Sequence, residues 1–191
     1  MRRIIFTFAL SLAACAGYGE GSAEIQGDVR VPRCTLAGVG TYVEGRFPAF
    51  TLNATFFSAE RHGDVLGITV RRDTRPFSDN DVLAMDVRDV TRITVGVPID
   101  VRPDDAFAGS AAPVRLALSL KSTCPRFETG LVGRGTVTFN ALDARQGGLV
   151  DATFTVDLLD AQATRQTGTT VVLGSLRGRF RIPMQYPGEP G

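Results

Sequence analysis

Pro113–Lys121 reads PVRLALSLK, with Val114, Leu116, Leu118 and Leu120 alternating with Arg115, Ala117, Ser119 and Lys121. One side of this stretch is apolar and the other is mostly polar. A period of two is the pattern of a half-buried strand, because successive side chains of extended backbone point to opposite faces. A helix would need apolar spacings of three and four, and the stretch offers none. The same period recurs along most of the chain. In RITVGVPIDV it groups Ile93, Val95, Val97, Ile99 and Val101, and in LVGRGTVTF it groups Leu131, Gly133, Gly135, Val137 and Phe139. In VDATFTVDL it groups Val150, Ala152, Phe154, Val156 and Leu158. VLGSLRGRFRI places Val172, Gly174, Leu176, Gly178, Phe180 and Ile182 opposite Arg177, Arg179 and Arg181.

Nearer the start, FTLNATFF groups Phe50, Leu52, Ala54 and Phe56, and VLGITV groups Leu66, Ile68 and Val70. DVLAMDVRDV fits either period: Val82, Met85 and Asp89 suit a helix capped by Ser78, whereas Leu83, Met85 and Val87 suit a strand. Its all-strand surroundings favour the strand. The stretches ERHGD, DTRPFSDND, RPDDAFAGSAAP, DARQGG and DAQATRQTGT carry the Gly, Pro, Asp and Asn of turns. About nine short strands without a clear helix predict an all-β fold. The expected architecture is an antiparallel β-sandwich of jelly-roll or Greek-key type, with a closed β-barrel as the alternative. Glycines inside the strands, at 133, 135, 174 and 178, suggest bulges, strong coiling or close approach of Phe139, Phe154 or Phe180.

The opening MRRIIFTFALSLAAC has a basic start, an apolar middle and small residues before a cysteine, the layout of a secretory signal peptide. The apolar run is too short to span a hydrocarbon core of about 30 Å as a helix. Leu12, Ala13, Ala14 and Cys15 resemble the lipobox of bacterial lipoproteins. The resemblance implies cleavage before Cys15, acylation of its thiol and new amino terminus, and anchoring in a bilayer. Ala16 after the cysteine, in place of Asp, implies the outer membrane. Durable anchoring takes more than one acyl chain, which a triacylated cysteine supplies. The expected organisation is a signal peptide over 1–14 and a lipidated, flexible tether over 15–23. One domain over 24–183 and a loose tail over 184–191 complete it. The strands VLGITV, GRGTVTF, VDATFTVDLLD and GSLRGRFRI, with the STCP stretch, also resemble β-rich envelope lipoproteins of Gram-negative bacteria. That family has no assigned activity, so no functional residues carry over.

The chain has 191 residues, with 21 basic against 20 acidic side chains. Losing Arg2 and Arg3 with the leader shifts the formal charge from +1 to −1. Nothing in that balance points to nucleic acid. With Cys15 consumed by lipid, Cys34 and Cys124 are expected to form a disulfide in an oxidising compartment. Two free thiols or a metal half-site are the alternatives, though one histidine, His62, leaves few further ligands.

Chemistry-bearing groups are sparse. A histidine triad would have to use His62, which sits in a hydrophilic turn. Paired carboxylates would draw on Glu44, Glu60 or Glu128 with an aspartate, but the chain has no tryptophan to stack a sugar. Asp79, Asn80 and Asp81 group oxygens as a calcium site would, and equally as an ordinary turn would. Arg177, Arg179 and Arg181 form a row suited to anion contact, or to guarding an edge strand. The sequence therefore predicts a non-enzymatic binding or structural module of the cell envelope, needing no cofactor beyond that calcium candidate. Its partners would be the bilayer, through Cys15, and an envelope protein or polysaccharide. A periplasmic hydrolase using carboxylates is one alternative. The other is a carrier whose cavity is lined by Phe50, Phe56 and Phe154.

Overall fold

A computed structural model describes residues 19–34, 43–75, 79–103, 112–125 and 130–185. Ten strands form in chain order: β1 (Ser22–Cys34), β2 (Val43–Thr51), β3 (Phe56–His62), β4 (Val65–Arg71), β5 (Asp81–Val87), β6 (Pro98–Val101), β7 (Val114–Leu120), β8 (Leu131–Leu142), β9 (Leu149–Asp160) and β10 (Val172–Pro183). Among the described residues one α-helix, α1 (Ala161–Thr167), joins β9 to β10. The fold is all-β. Val114, Leu116, Leu118 and Leu120 of the opening stretch are all buried, as are Val150, Ala152, Phe154, Val156 and Leu158 of β9. Each such Val, Leu or Phe side chain contributes roughly 1.5–3 kcal/mol by leaving water.

All ten strands belong to one sheet, in the order β2-β1-β10-β9-β8-β6-β7-β5-β4-β3. The expected two-sheet sandwich is not seen among the described residues. A single sheet curls into a half-barrel, and its own two wings wall the core. The curl brings β3 back towards the far wing: Phe57 N–H donates to Gly19 O at 3.3 Å, and Gln185 N–H donates to Ala59 O at 2.9 Å. Pairing is antiparallel except at Val101↔Val114, where β6 lies parallel to β7. β7 and β8 pair only at Ala117↔Val132 and Leu118↔Leu131 before they splay, and β6 fills the opening.

Several expected elements take another form, each for a local reason. The stretch over 92–101 is not one strand. A 3-10 turn at Val90–Arg92 leads into a bend where Gly96 adopts φ 81, leaving Val95 and Val97 about half exposed, and only Pro98–Val101 extends. In β10 a register shift between Val172 and Gly174 turns Val172 outward and Leu173 into the core. FTLNATFF divides between β2 and β3, and Phe57, not Phe56, joins the core. DVLAMDV is a strand with Leu83, Met85 and Val87 buried. DAQATRQTGT contains α1, whose Asp160 side chain accepts the Ala163 N–H at 2.8 Å and whose C-cap is Gly168. Gly178 admits an aromatic ring, as expected of a strand glycine: a Cβ there would lie 2.9 Å from Phe154 Cζ.

Both ends of the body extend further than the sequence suggests. Met184 and Gln185 are buried, and Met184 N–H donates to Gly148 O at 2.7 Å, so they belong to the body and not to a loose tail. Residues 19–23 of the expected flexible tether are docked, since Gly19 bridges Phe57 and β1 begins at Ser22.

Candidate functional site

The densest polar cluster lies beside the Cys34–Cys124 disulfide, which closes 90 residues of chain. Asp81 opens β5 and is 3% exposed. Its Oδ1 accepts the Ser122 and Thr123 N–H groups, both at 2.9 Å, and its Oδ2 accepts the Thr123 hydroxyl at 2.5 Å. Arg72 Nη1 adds an ion pair at 3.6 Å. A buried carboxylate is costly unless its lone pairs are filled, and here they are. Asp81 thus pins the turn that carries Cys124. Asn80, fully buried, aims its amide Nδ2 at Asp73 O, Asp73 Oδ1 and Arg75 O, within 2.9–3.1 Å.

This arrangement lends the calcium expectation no support. A hard cation needs converging oxygens. Asp81 spends its oxygens on N–H and O–H donors, Asp79 is exposed, and Asn80 turns its nitrogen to the Asp73 loop while its buried Oδ1 has no hydrogen-bond partner among the described residues. Among the described residues no group of three or more His, Cys, Asp or Glu side chains could hold a metal. The oxygens are turn chemistry, with Asp73 gripping Arg75 through Nη2–Oδ2 at 2.7 Å. The Arg75 hydrogen bonds hold the Asp73 carboxyl below its usual range.

Arg177, Arg179 and Arg181 face outward as expected, but β10 is an interior strand between β1 and β9. They therefore guard no edge. Arg179 forms a two-pronged pair with Asp151 of β9, at 3.1 and 2.6 Å, and Asn140 of β8 donates to the same carboxylate at 3.1 Å. Sequence alternation could not find Asn140, which sits on β8 and reaches across to β9. Glu24 faces Arg179 from β1, so two acids stand among the three guanidinium groups and the row is a weak anion trap. The Arg179 and Asn140 hydrogen bonds outweigh burial and hold the Asp151 pKa below its ordinary value. A depressed carboxylate pKa contributes stability that is present above the unfolded value, about 3.9, and is lost as pH falls through the folded value. Asp151→Asn should lower Tm at pH 7 by roughly 3–6 °C, for a charge-assisted pair of about 1.5 kcal/mol. The gap from the unmodified protein should narrow as pH falls below about 4 in thermal melts.

On β3, Ser58 Oγ donates to Glu60 Oε1 at 2.7 Å, and His62 Nε2 lies 3.5 Å from Glu60 Oε2. The carboxylate sits between serine and imidazole, the wrong order for a triad in which histidine takes the serine proton. Glu44 bridges Arg30 at 3.3 Å and Arg46 at 3.0 Å across β1 and β2. Glu128 lies outside the described residues, as does Cys15. Among the described residues, Glu44 and Glu60 are held by arginine, serine and histidine and are not set opposite an aspartate as acid and base.

Clefts instead follow the edge strand β2. One of about 640 Å³ is bounded by Phe47, Pro48, Arg72 and Thr123, and another of about 560 Å³ by Ala49, Thr51, Thr155 and Arg177. Pro48 suits an edge, having no N–H to offer a further strand. Of the three rings expected to line a carrier cavity, Phe50 borders both clefts beside β2, and the other two lie elsewhere. Phe154 packs against Phe180 with centroids 6.4 Å apart, while Phe56 stacks outside the core beneath the Arg71 guanidinium, 3.8 Å above its ring. Among the described residues no helix is long and apolar enough to cross a membrane. The chain matches no protein-family model, no curated protein and no solved structure.

Proposed function

We propose that the protein is a lipid-anchored module of the bacterial cell envelope, held at the outer membrane through acylated Cys15. It serves by binding or scaffolding and not by catalysis. The observation that carries this reading is the accounting of sulfur. The chain has three cysteines, Cys34 and Cys124 bond to each other, and Cys15 is left over at the end of an apolar leader. A long-range disulfide suits an oxidising compartment, and a lone cysteine behind Leu12, Ala13 and Ala14 suits acylation. The body supports the non-catalytic half of the reading. Its buried acids are saturated by structural donors, and its one histidine is 63% exposed on a rim without a serine partner. The clefts beside β2 give room for an envelope protein or a polysaccharide.

Cys15→Ser should move the protein from the membrane pellet to the soluble fraction, with at least a tenfold fall in pelleted protein. Intact mass of the unmodified chain should show a cleaved, acylated species beginning at Cys15. A mature chain that starts elsewhere, or carries no lipid there, would overturn the reading.

A further inference from the structure

We propose that the seam where residues 19–21 cross β3 is the face of the body that lies against the bilayer. The inference rests on acylation of Cys15 and adds an orientation to it. Gly19 O accepts the Phe57 N–H, and a Cβ on Gly19 would meet Phe56 Cδ2 at 3.1 Å. A Cβ on Gly21 would lie 2.9 Å from Phe57 and 3.1 Å from Arg181 O. These glycines are there for close approach, not for slack. The leash between lipid and body is therefore the four residue steps from Cys15 to Gly19. At no more than 3.3–3.6 Å per step it spans at most about 14 Å.

A single domain of this length has a radius of gyration of about 16 Å, so the leash is shorter than the body is wide. The protein cannot turn an arbitrary side to the membrane. What it brings to the headgroups is the seam and its rim. Thr55 is exposed there, hydrogen-bonded to the Arg71 and Arg72 carbonyls, and the Arg71 guanidinium covers the Phe56 ring. The Phe56 ring is itself buried, so the Arg71 guanidinium above it is the group offered to the phosphates. The helix α1 is carried away from it. Ser22 pairs with Arg181, whereas α1 precedes Val172, nine residues back along β10 and about 30 Å away at 3.3 Å per residue.

The test uses the acylated full chain in vesicles of phosphatidylethanolamine and phosphatidylglycerol at 3:1 that contain a headgroup nitroxide quencher. A fluorophore is placed through Thr55→Cys or, separately, through Gln166→Cys in α1. The Thr55 probe should be quenched at least threefold more than the Gln166 probe. Inserting twenty Gly/Ser residues between Ala16 and Gly17 should bring the ratio close to one. Equal quenching in protein whose mass shows acyl chains on Cys15 would overturn this inference alone, as would a ratio indifferent to the insertion. Absence of acyl chains would remove the anchor reading and the orientation with it.

Discussion

Cys34→Ala/Cys124→Ala should lose about 4 kcal/mol of unfolding free energy and show a steeper urea dependence. The bond joins the end of β1 to the turn after β7 across 90 residues, and both cysteines are fully buried. Closing so long a loop removes about 4–5 kcal/mol of unfolded-state entropy in the chain-entropy account. Against a typical total of 5–15 kcal/mol, that is a large fraction. Alanine isolates the cross-link, because serine would bury two hydroxyls in an apolar site and add desolvation costs of about 1–3 kcal/mol each. The unlinked unfolded chain exposes more surface, so the m-value should rise as the midpoint falls. Asp81 should keep the Ser122–Thr123 turn in place through its hydrogen bonds, so the folded variant should retain native far-UV spectra. A urea midpoint unchanged from the oxidised protein would show that the bond constrains nothing the fold does not already hold.

The disulfide was legible because it needed only counting: once Cys15 is assigned to lipid, two cysteines remain. The strand faces were legible for an equally local reason, since alternation reports which way a side chain points. It does not report neighbours. Arg177, Arg179 and Arg181 were correctly placed on an outer face, yet their position between β1 and β9 depends on pairings that no single strand encodes. Asp81 could be read only with its neighbours Asp79 and Asn80, as calcium site or turn, because its backbone donors, Ser122 and Thr123, lie 41 and 42 residues away. The helix α1 had its signals in Asp160 and Gly168, but seven residues of turn-like composition hid them. Alternation also fails wherever one residue is added. The Val172–Gly174 bulge exchanges Val172 for Leu173 in the core, and the bend at Gly96 spoils the pattern over 92–101.

Gly174→Ala should be the most damaging single-methyl addition in the sheet, lowering stability by about 3 kcal/mol or more. Two independent effects meet there. Gly174 has φ 147, a conformation that side chains rarely adopt, and an added Cβ would stand 2.0 Å from Asp28 O and 2.9 Å from Asp28 C. The obstacle is the backbone of β1 and cannot rotate away, unlike the far end of a flexible side chain. Forced overpacking costs about 1–3 kcal/mol and backbone strain a similar amount. Gly67→Ala is the internal control. Its nearest neighbour to an added Cβ is Glu60 O at 3.8 Å, so it should change stability by less than about 1 kcal/mol. The bulge could relieve the clash only by moving, and a one-residue slip exchanges the two faces of a strand. Leu176, Phe180 and Ile182 would then turn to water while Arg177, Arg179 and Arg181 turned into the core. That outcome is far more costly than the clash itself, so the variant should lose stability in place, with Arg179 still paired to Asp151. Urea midpoints for the two glycine variants, with the pH dependence of each, decide the matter. Equal midpoints would mean that the bulge at Gly174 does not set the register of β10.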